Sequence, residues 1–133
     1  MRTSTLLLLT ALAGGVTQAA SLPAEVVENL DQYRIVLSLD EAQIRAIPAW
    51  RPGEGKPPMS LDAAVTRTLE WINSKELLKD AQIYELKYKP VHNHETLDRW
   101  YFLVELRMQD GMKRFLAVLP DGQVVPAIAE PGR

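Results

Sequence analysis

Residues 100–119, WYFLVELRMQDGMKRFLAVL, contain two apolar stretches separated by an Asp-Gly pair. Apolar side chains recur at every second position of the first stretch, which indicates a β-strand because successive strand residues point to opposite faces. Asp110-Gly111 is a signal for a two-residue hairpin turn. Such a turn predicts a register in which three apolar pairs share one face of a sheet. The pairs are Phe102 with Leu119, Val104 with Ala117, and Leu106 with Phe115.

The opposite face of this predicted hairpin is more apolar than a face in water should be. The same register places Tyr101, Leu103, Leu116 and Val118 there. Either residues 22–47 cover this face or it contacts a partner. We favour covering, because large exposed apolar patches are uncommon on monomers. If the face is open, Tyr101, Leu103 and Leu116 are candidates for a binding surface.

An amphipathic helix is predicted upstream of the hairpin. Ser60 is a favourable N-cap, and Asp62 falls in the first turn, where negative charge suits the helix dipole. At about 100° per residue, the apolar side chains form one arc that is expected to pack on the sheet. The arc comprises Leu61, Ala64, Val65, Thr68, Leu69, Trp71 and Ile72.

The remaining segments of residues 60–126 complete a β-meander. Residues 82–88 alternate as a strand, with Tyr84, Leu86 and Tyr88 on one face. Residues 120–123 are typical of a turn, and Val124-Val125 of a short last strand. The predicted fold class is α+β, with one amphipathic helix on an antiparallel sheet of three or four strands. Residues 127–133 are a tail that is expected to fray from Glu130 onward.

Residues 20–59 form an N-terminal segment and a loop. A short amphipathic stretch begins at Pro23, with Val26, Val27 and Leu30 at helical spacing. Residues 33–39 have the β-branched, apolar character of a strand, and residues 40–45 are either a helical turn capped by Asp40 or extended chain. Residues 48–60 are a loop, because their density of proline and glycine suits neither helix nor strand.

The first 19 residues have the layout of a cleavable signal peptide. One arginine precedes a short apolar run, and small residues end it at Thr17 and Ala19. A membrane anchor is disfavoured, because it needs about 20 consecutive apolar residues and this run is interrupted. No other run in the sequence approaches that length. The domain is therefore expected to be exported, either to the periplasm or outside the cell, with no membrane span after cleavage.

Composition excludes several classes of chemistry. The chain has no cysteine, which removes disulfides, a thiolate nucleophile and zinc–thiolate sites. Loss of the leader removes only Arg2 among the charged residues, which leaves 14 basic against 17 acidic residues and a mildly acidic domain. Nucleic-acid binding is not expected, because it requires a basic patch. The sequence contains no serine nucleophile elbow and no glycine-rich phosphate loop, so no reaction and no cofactor are predicted.

Two small groups of residues remain as candidate sites. His92 and His94 share a face if the chain is extended, but two ligands fall short of a typical metal site, so metal binding is the alternative and a polar loop is favoured. Trp50, Trp100 and Tyr101 are the aromatic residues expected to be partly exposed. Trp100 is interpreted mainly as sealing the core, whereas Trp50 is an equally good binding anchor or core residue.

The order helix, strand, strand, strand resembles small exported PepSY-like domains, which are similar to cystatins in packing a helix on an antiparallel sheet. The residues that carry the resemblance are 60–72, 100–104 and the ending 119–125, LPDGQVV. The resemblance covers residues 60–126 and implies a binding or peptidase-inhibiting module without catalytic residues.

The leading functional hypothesis is an exported, non-enzymatic binding module whose partner is another envelope or extracellular protein. Its candidate contact residues are Trp50, Tyr101, Leu103 and Leu116. The alternatives are a small enzyme with a pocket between helix and sheet, lined by Tyr84 or Tyr88, and a metal-binding protein that uses His92 and His94.

Overall fold

A computed structural model describes residues 24–30, 32–92, 94 and 97–131. The predicted signal peptide, residues 1–19, lies outside the described residues. Seven strands are present in the described chain: β1 Ala24–Leu30, β2 Tyr33–Leu39, β3 Gln82–Pro90, β4 Trp100–Arg107, β5 Lys113–Val118, β6 Val124–Pro126 and β7 Ile128–Pro131. Its α-helices are α1 Glu41–Ala46 and α2 Leu61–Asn73, and a 3-10 turn follows at Glu76–Leu78. Within this part of the chain, no helix combines the length and apolar character that crossing a bilayer requires.

The predicted fold class is confirmed. Strands β3 to β6 form an antiparallel sheet in chain order, which is the expected meander, and α2 packs on one face of it. Helix α2 begins where the sequence predicted, because the Ser60 hydroxyl accepts a hydrogen bond from the backbone N–H of Ala63. Ala64, Thr68 and Ile72 are its buried residues, whereas Leu61 and Leu69, which were placed in the apolar arc, are 56% and 47% exposed.

The predicted register of the β4–β5 hairpin is wrong by one residue. Phe102 pairs with Val118, and Val104 pairs with Leu116. The connection has three residues instead of two: Met108 N–H donates to the Met112 carbonyl at 2.8 Å, and Gly111 takes φ +88°. A three-residue loop closed by a left-handed glycine is the next common hairpin after the two-residue type.

This shift exchanges the two faces of β5. Leu116 and Val118 face α2, whereas Phe115, Ala117 and Leu119 lie on the opposite side. The prediction had these reversed, although the faces of β4 were assigned correctly. A shift of one residue has this effect because side chains alternate with a period of two.

The second face of the meander is covered by the N-terminal segment, as we favoured. Strands β1, β2 and β7 form a second antiparallel sheet in the order β1-β2-β7. Its buried residues, which include Val26, Ile35 and Leu37, form one core with Tyr101 and Leu103 of β4. The molecule therefore has three layers: the small sheet, the meander and α2.

Three local predictions need correction. Residues 24–30 form a strand paired with β2 along its whole length, not a helical stretch. Residues 128–131, which were expected to lie in a tail that frays from Glu130, pair with β2 as β7. In β3, a bulge between Ile83 and Glu85 turns Tyr84 outward, so Tyr84 is 57% exposed and does not share a face with Leu86 and Tyr88.

The chain passes from one sheet to the other at Ala127. Strand β6 pairs with β5, and β7, which begins at Ile128, pairs with β2. Ala127 N–H donates to the Phe115 carbonyl at 2.9 Å, and this is the last hydrogen bond between β5 and the chain that continues from β6. Beyond that point β5 and β7 diverge, and their divergence opens a groove on the surface.

Candidate functional site

The structure buries three of the four candidate binding residues. Tyr101 and Leu103 are 0% and 3% exposed between the two sheets, and Leu116 is 1% exposed beneath α2. They do not form an open surface, because the N-terminal sheet covers one face of the meander and α2 covers the other.

Trp50, the fourth candidate, anchors the proline-rich loop to the end of the meander. Its ring is 5.5 Å from the rings of both Tyr88 and Trp100. Its backbone N–H donates to the Asp98 carbonyl at 2.9 Å, and its indole N–H donates to the Gly55 carbonyl at 3.2 Å. The half-buried indole thus stabilises the loop, which matches the core-residue interpretation.

His92 and His94 do not gather further ligands in the described chain. His92 is exposed and His94 is half-buried. Asp98, the nearest described carboxylate along the chain, is paired with Arg51 at 2.7 Å. Across the described ranges, no group of three or more His, Cys, Asp or Glu residues is arranged to hold a metal ion.

A buried polar cluster that the sequence did not reveal lies between the sheets. Glu28 of β1 accepts from Lys89 of β3 at 2.5 Å and from the Tyr101 hydroxyl at 3.0 Å. The side chain of Glu28 is 9% exposed and that of Lys89 is 26% exposed. Burial, followed by the negative charge of Glu28 and its hydrogen bond, raises the pKa of Tyr101 above its ordinary value. The cluster joins the two sheet edges formed by β1 and β3, so we assign it a structural role.

A polar pocket of about 360 Å³ opens beside this cluster. Glu85 and Glu105 face each other across the β3–β4 ladder. Each has a cation nearby, Lys87 at 3.9 Å from Glu85 and Arg107 at 3.3 Å from Glu105. Because each carboxylate has a cation beside it, neither is left as an unpaired negative charge for a partner.

The strongest candidate for a contact surface is the groove between β5 and β7. We call it the β5–β7 groove. It has a volume of about 270 Å³, and its main lining residues are Trp71, Leu78, Met112, Arg114, Ala127 and Ala129. Met112 is 59% exposed, Trp71 is half-buried, and Leu78 forms part of the buried core beneath them. The groove is therefore an apolar depression on a packed scaffold.

The rim of the β5–β7 groove is cationic. Arg114 is exposed, and within the described part of the chain no carboxylate lies within ion-pair distance of it. The Lys75 ammonium lies 5.6 Å from the centroid of the Trp71 ring. Among the residues that the structure describes, no acidic residue lines the groove. This charge favours an anionic partner.

Sequence reasoning missed this groove because its lining residues come from six separate elements: α2, the 3-10 turn and strands β4 to β7. Trp71 was assigned to the apolar face of α2, and no role was predicted for Met112. The divergence of β5 and β7 was not predicted at all. The one local signal is the run Met112-Lys113-Arg114, which places an apolar side chain and two cations directly after the hairpin glycine.

Comparisons of this chain with models of known protein families, with curated proteins and with solved structures found no match.

Proposed function

We propose that this chain is an exported, non-enzymatic binding module that docks a partner protein of the envelope or extracellular space at the β5–β7 groove. The observation that carries the proposal is the exposed apolar floor of Met112 and Trp71 beside the cations Arg114 and Lys75. Apolar contact area with a few placed polar groups is the usual composition of a binding site.

The scaffold around the groove supports binding by a preformed surface. Leu106 and Leu116, beneath the groove, are 0% and 1% exposed. The β4–β5 ladder is paired from Phe102 with Val118 to Arg107 with Lys113, and this pairing holds one wall of the groove in place. A wall that is already ordered loses little conformational entropy when a partner binds, and this favours affinity.

Binding is favoured over catalysis by the chemistry of the groove. Its charged side chains are cations, and neither a carboxylate nor an imidazole of the described residues lines it. Tyr84 or Tyr88 was expected to line the pocket of an enzyme between helix and sheet. Tyr84 is turned outward, and Tyr88 packs among Trp50, Trp100 and Phe102 on the α2 side of the meander. The PepSY-like or cystatin-like relationship stays a prediction.

Export is tested separately from binding. The full chain, expressed in a cell with a general secretion pathway, is expected to appear outside the cytoplasm with a mass lower by residues 1–19. Intact mass spectrometry of the fractionated protein measures this. A full-length mass in the cytoplasm would contradict the export proposal and leave the groove proposal to its own test.

Docking at the groove is tested with a photo-crosslinking amino acid placed at Met112. The matched control is Leu61, which has nearly the same exposure, 56% against 59%, but lies at the start of α2 outside the groove. We expect crosslinks to a defined protein of the producing cell's envelope from position 112 and not from position 61, and their loss when Arg114→Glu is added. Equal crosslinking from both positions, or none from position 112, would overturn the proposal.

A further inference from the structure

We propose that the occupant of the β5–β7 groove is an extended acidic peptide segment of the partner. It adds to the open edge of β5 at Lys113, inserts an apolar side chain between Trp71 and Met112, and places carboxylates against Arg114 and Lys75. This inference rests on the proposed function and names the chemical class of the partner.

The position of Lys113 in the β4–β5 ladder sets the direction of its backbone N–H and C=O groups. In an antiparallel pair, residues alternate between those that bond to the neighbouring strand and those whose N–H and C=O point away from it. Met108 forms a backbone hydrogen bond with Met112. The backbone N–H and C=O groups of Lys113 and Phe115 therefore point away from β4. The bond from Ala127 N–H to the Phe115 carbonyl agrees with this alternation.

On the side away from β4, the strand that would continue alongside Lys113 has turned to the other sheet. Phe115 meets Ala127, but β7 turns to β2 directly afterwards, with Ile128 paired to Val36 and Ala129 to Ile35. Of the described strands, none pairs with Lys113 on the side away from β4. The N–H and C=O of Lys113 therefore face the groove, which Lys113 lines.

The backbone N–H and C=O of Lys113 offer a ligand one donor and one acceptor. This combination favours a peptide over other anionic ligands. Extended peptides bind exposed sheet edges by supplying both an acceptor and a donor at the right spacing, with side-chain pockets for specificity. A fatty-acid carboxylate would supply acceptors for the Lys113 N–H but no donor for its C=O, and a lipid headgroup does not repeat donor and acceptor at the spacing of an extended strand. The peptide satisfies both groups.

The size of the groove limits how much of the ligand enters it. Its volume of about 270 Å³ is smaller than the roughly 300–1,000 Å³ of sites that enclose drug-sized ligands. It is suited to receive a single large side chain while the rest of the segment lies along the surface. The cations at its rim then favour acidic residues on either side of that apolar anchor.

The experiment is a selection from a displayed library of random dodecapeptides with the mature domain as bait. We expect enrichment of peptides that combine acidic residues with a large aliphatic or aromatic residue. In titrations followed by amide NMR, the selected peptides are expected to shift the Lys113 and Met112 amide signals. N-methylation of a central peptide bond is expected to weaken binding at least tenfold, because it removes a main-chain donor.

Matched variants separate the charge of the groove from net charge. Arg114→Glu and Lys75→Glu are each expected to weaken binding of the selected peptide at least fivefold. Lys56→Glu makes the same change of charge at an exposed position in the proline-rich loop, outside the groove, and should weaken it less than twofold. Thermal unfolding of each variant, monitored by circular dichroism, checks that the fold is retained.

Four results would overturn the inference. One is enrichment of basic or uncharged peptides, and a second is no enrichment. A third is binding that tolerates N-methylation, and the fourth is co-sedimentation with phosphatidylglycerol vesicles that Arg114→Glu abolishes while no peptide binds. If position-specific crosslinking at Met112 persists in any of these cases, the proposed function stands and only the peptide class of the partner is wrong.

Discussion

Tyr88 and Tyr101 lie on opposite faces of the meander, and their hydroxyl groups meet different surroundings. The Tyr101 hydroxyl donates to Glu28 at 3.0 Å between the sheets. The Tyr88 hydroxyl is buried in the aromatic cluster of Trp50, Trp100 and Phe102 without a hydrogen-bond partner among the described residues. A buried hydroxyl without a partner loses its hydrogen bonds to water and forms none within the protein, which lowers the stability of the fold.

We expect Tyr88→Phe to raise the free energy of unfolding by about 1 kcal/mol, because it removes the unpartnered hydroxyl and keeps the ring. Tyr101→Phe is the matched control and should lower it by about 1.5–3 kcal/mol, because it removes a hydrogen bond to a charged group. Urea denaturation measures both values. A loss of 1 kcal/mol or more in Tyr88→Phe would mean that its hydroxyl has a partner.

The raised pKa of Tyr101 predicts a loss of stability in alkali. Above about pH 10 the unfolded chain releases the tyrosine proton, whereas the folded chain retains it. The free energy of unfolding therefore falls as the pH rises, with a slope of up to about 1.4 kcal/mol per pH unit for one proton. Burial shifts the pKa of Tyr88 in the same direction, so both tyrosines contribute.

Urea denaturation at several pH values between about 8 and 11 tests this linkage. We expect Tyr101→Phe to start from lower stability and to lose less of it across this range than the wild type does. Equal slopes in the two proteins would show that the Tyr101 hydroxyl ionises as readily in the folded state as in the unfolded one.

At the scale of elements, two turns of the meander use the same device. In the β4–β5 turn the Asp110 carboxylate accepts from Met112 N–H, and in the β5–β6 turn the Asp121 carboxylate accepts from Gln123 N–H. Both glycines that follow the aspartates take positive φ, +88° at Gly111 and +92° at Gly122. The Asp-Gly signal thus located both turns, but it did not give their length.

Gly111 offers a test of the three-residue turn, because a Cβ atom added there would meet no atom within 4 Å. The cost of substitution is therefore the backbone cost alone. Gly111→Val should lower the free energy of unfolding by about 2 kcal/mol, because a β-branched residue resists the left-handed conformation. Gly111→Asn should lower it by less than about 1 kcal/mol, because asparagine tolerates that region. Thermal unfolding compares them, and equal destabilisation would contradict the left-handed turn.

For the whole molecule, the strand orders β3-β4-β5-β6 and β7-β2-β1 leave one open seam between the two sheets. The chain joins the sheets at Ala127, so β1 and β3 are the free edges. The ion pair of Glu28 and Lys89, 61 residues apart in sequence, spans this seam. Side chains hold the sheets together here because the backbones of β1 and β3 are not paired in a ladder.

A double-mutant cycle measures the contribution of this seam. Glu28→Met alone should lower the free energy of unfolding by about 2–4 kcal/mol, because it leaves the largely buried Lys89 ammonium without its carboxylate. Glu28→Met with Lys89→Met should recover the part of that loss that comes from the unpaired ammonium, because apolar side chains of similar volume can replace a buried ion pair. The part that comes from the Tyr101 hydroxyl, which has lost its acceptor, should remain. A double variant as unstable as the sum of the single variants would show that the two residues do not interact.

Local signals in the sequence were enough for the features that a few neighbouring residues control. Ser60 caps α2, and the proline-rich loop is where its composition placed it. Residues 40–45 were left open between a helical turn and extended chain, and the structure shows a helix with a capping box of Asp40 and Gln43. Caps and turns depend on hydrogen bonds between residues close along the chain, so their signals are local. The alternation of β4 was also readable, because glutamate and arginine interrupt one of its faces.

Long-range packing decided the features that local pattern left open. Residues 115–119 are apolar at every position, so either hairpin register buries a full face, and the three-residue turn selected one of them. Val26, Val27 and Leu30 suit a helix or a strand, and pairing with β2 made them a strand. The β5–β7 groove and the Glu28–Lys89 pair exist only because β7 leaves the meander at Ala127. Their residues are distant in sequence, and burial of the shared core between the two sheets brings them together.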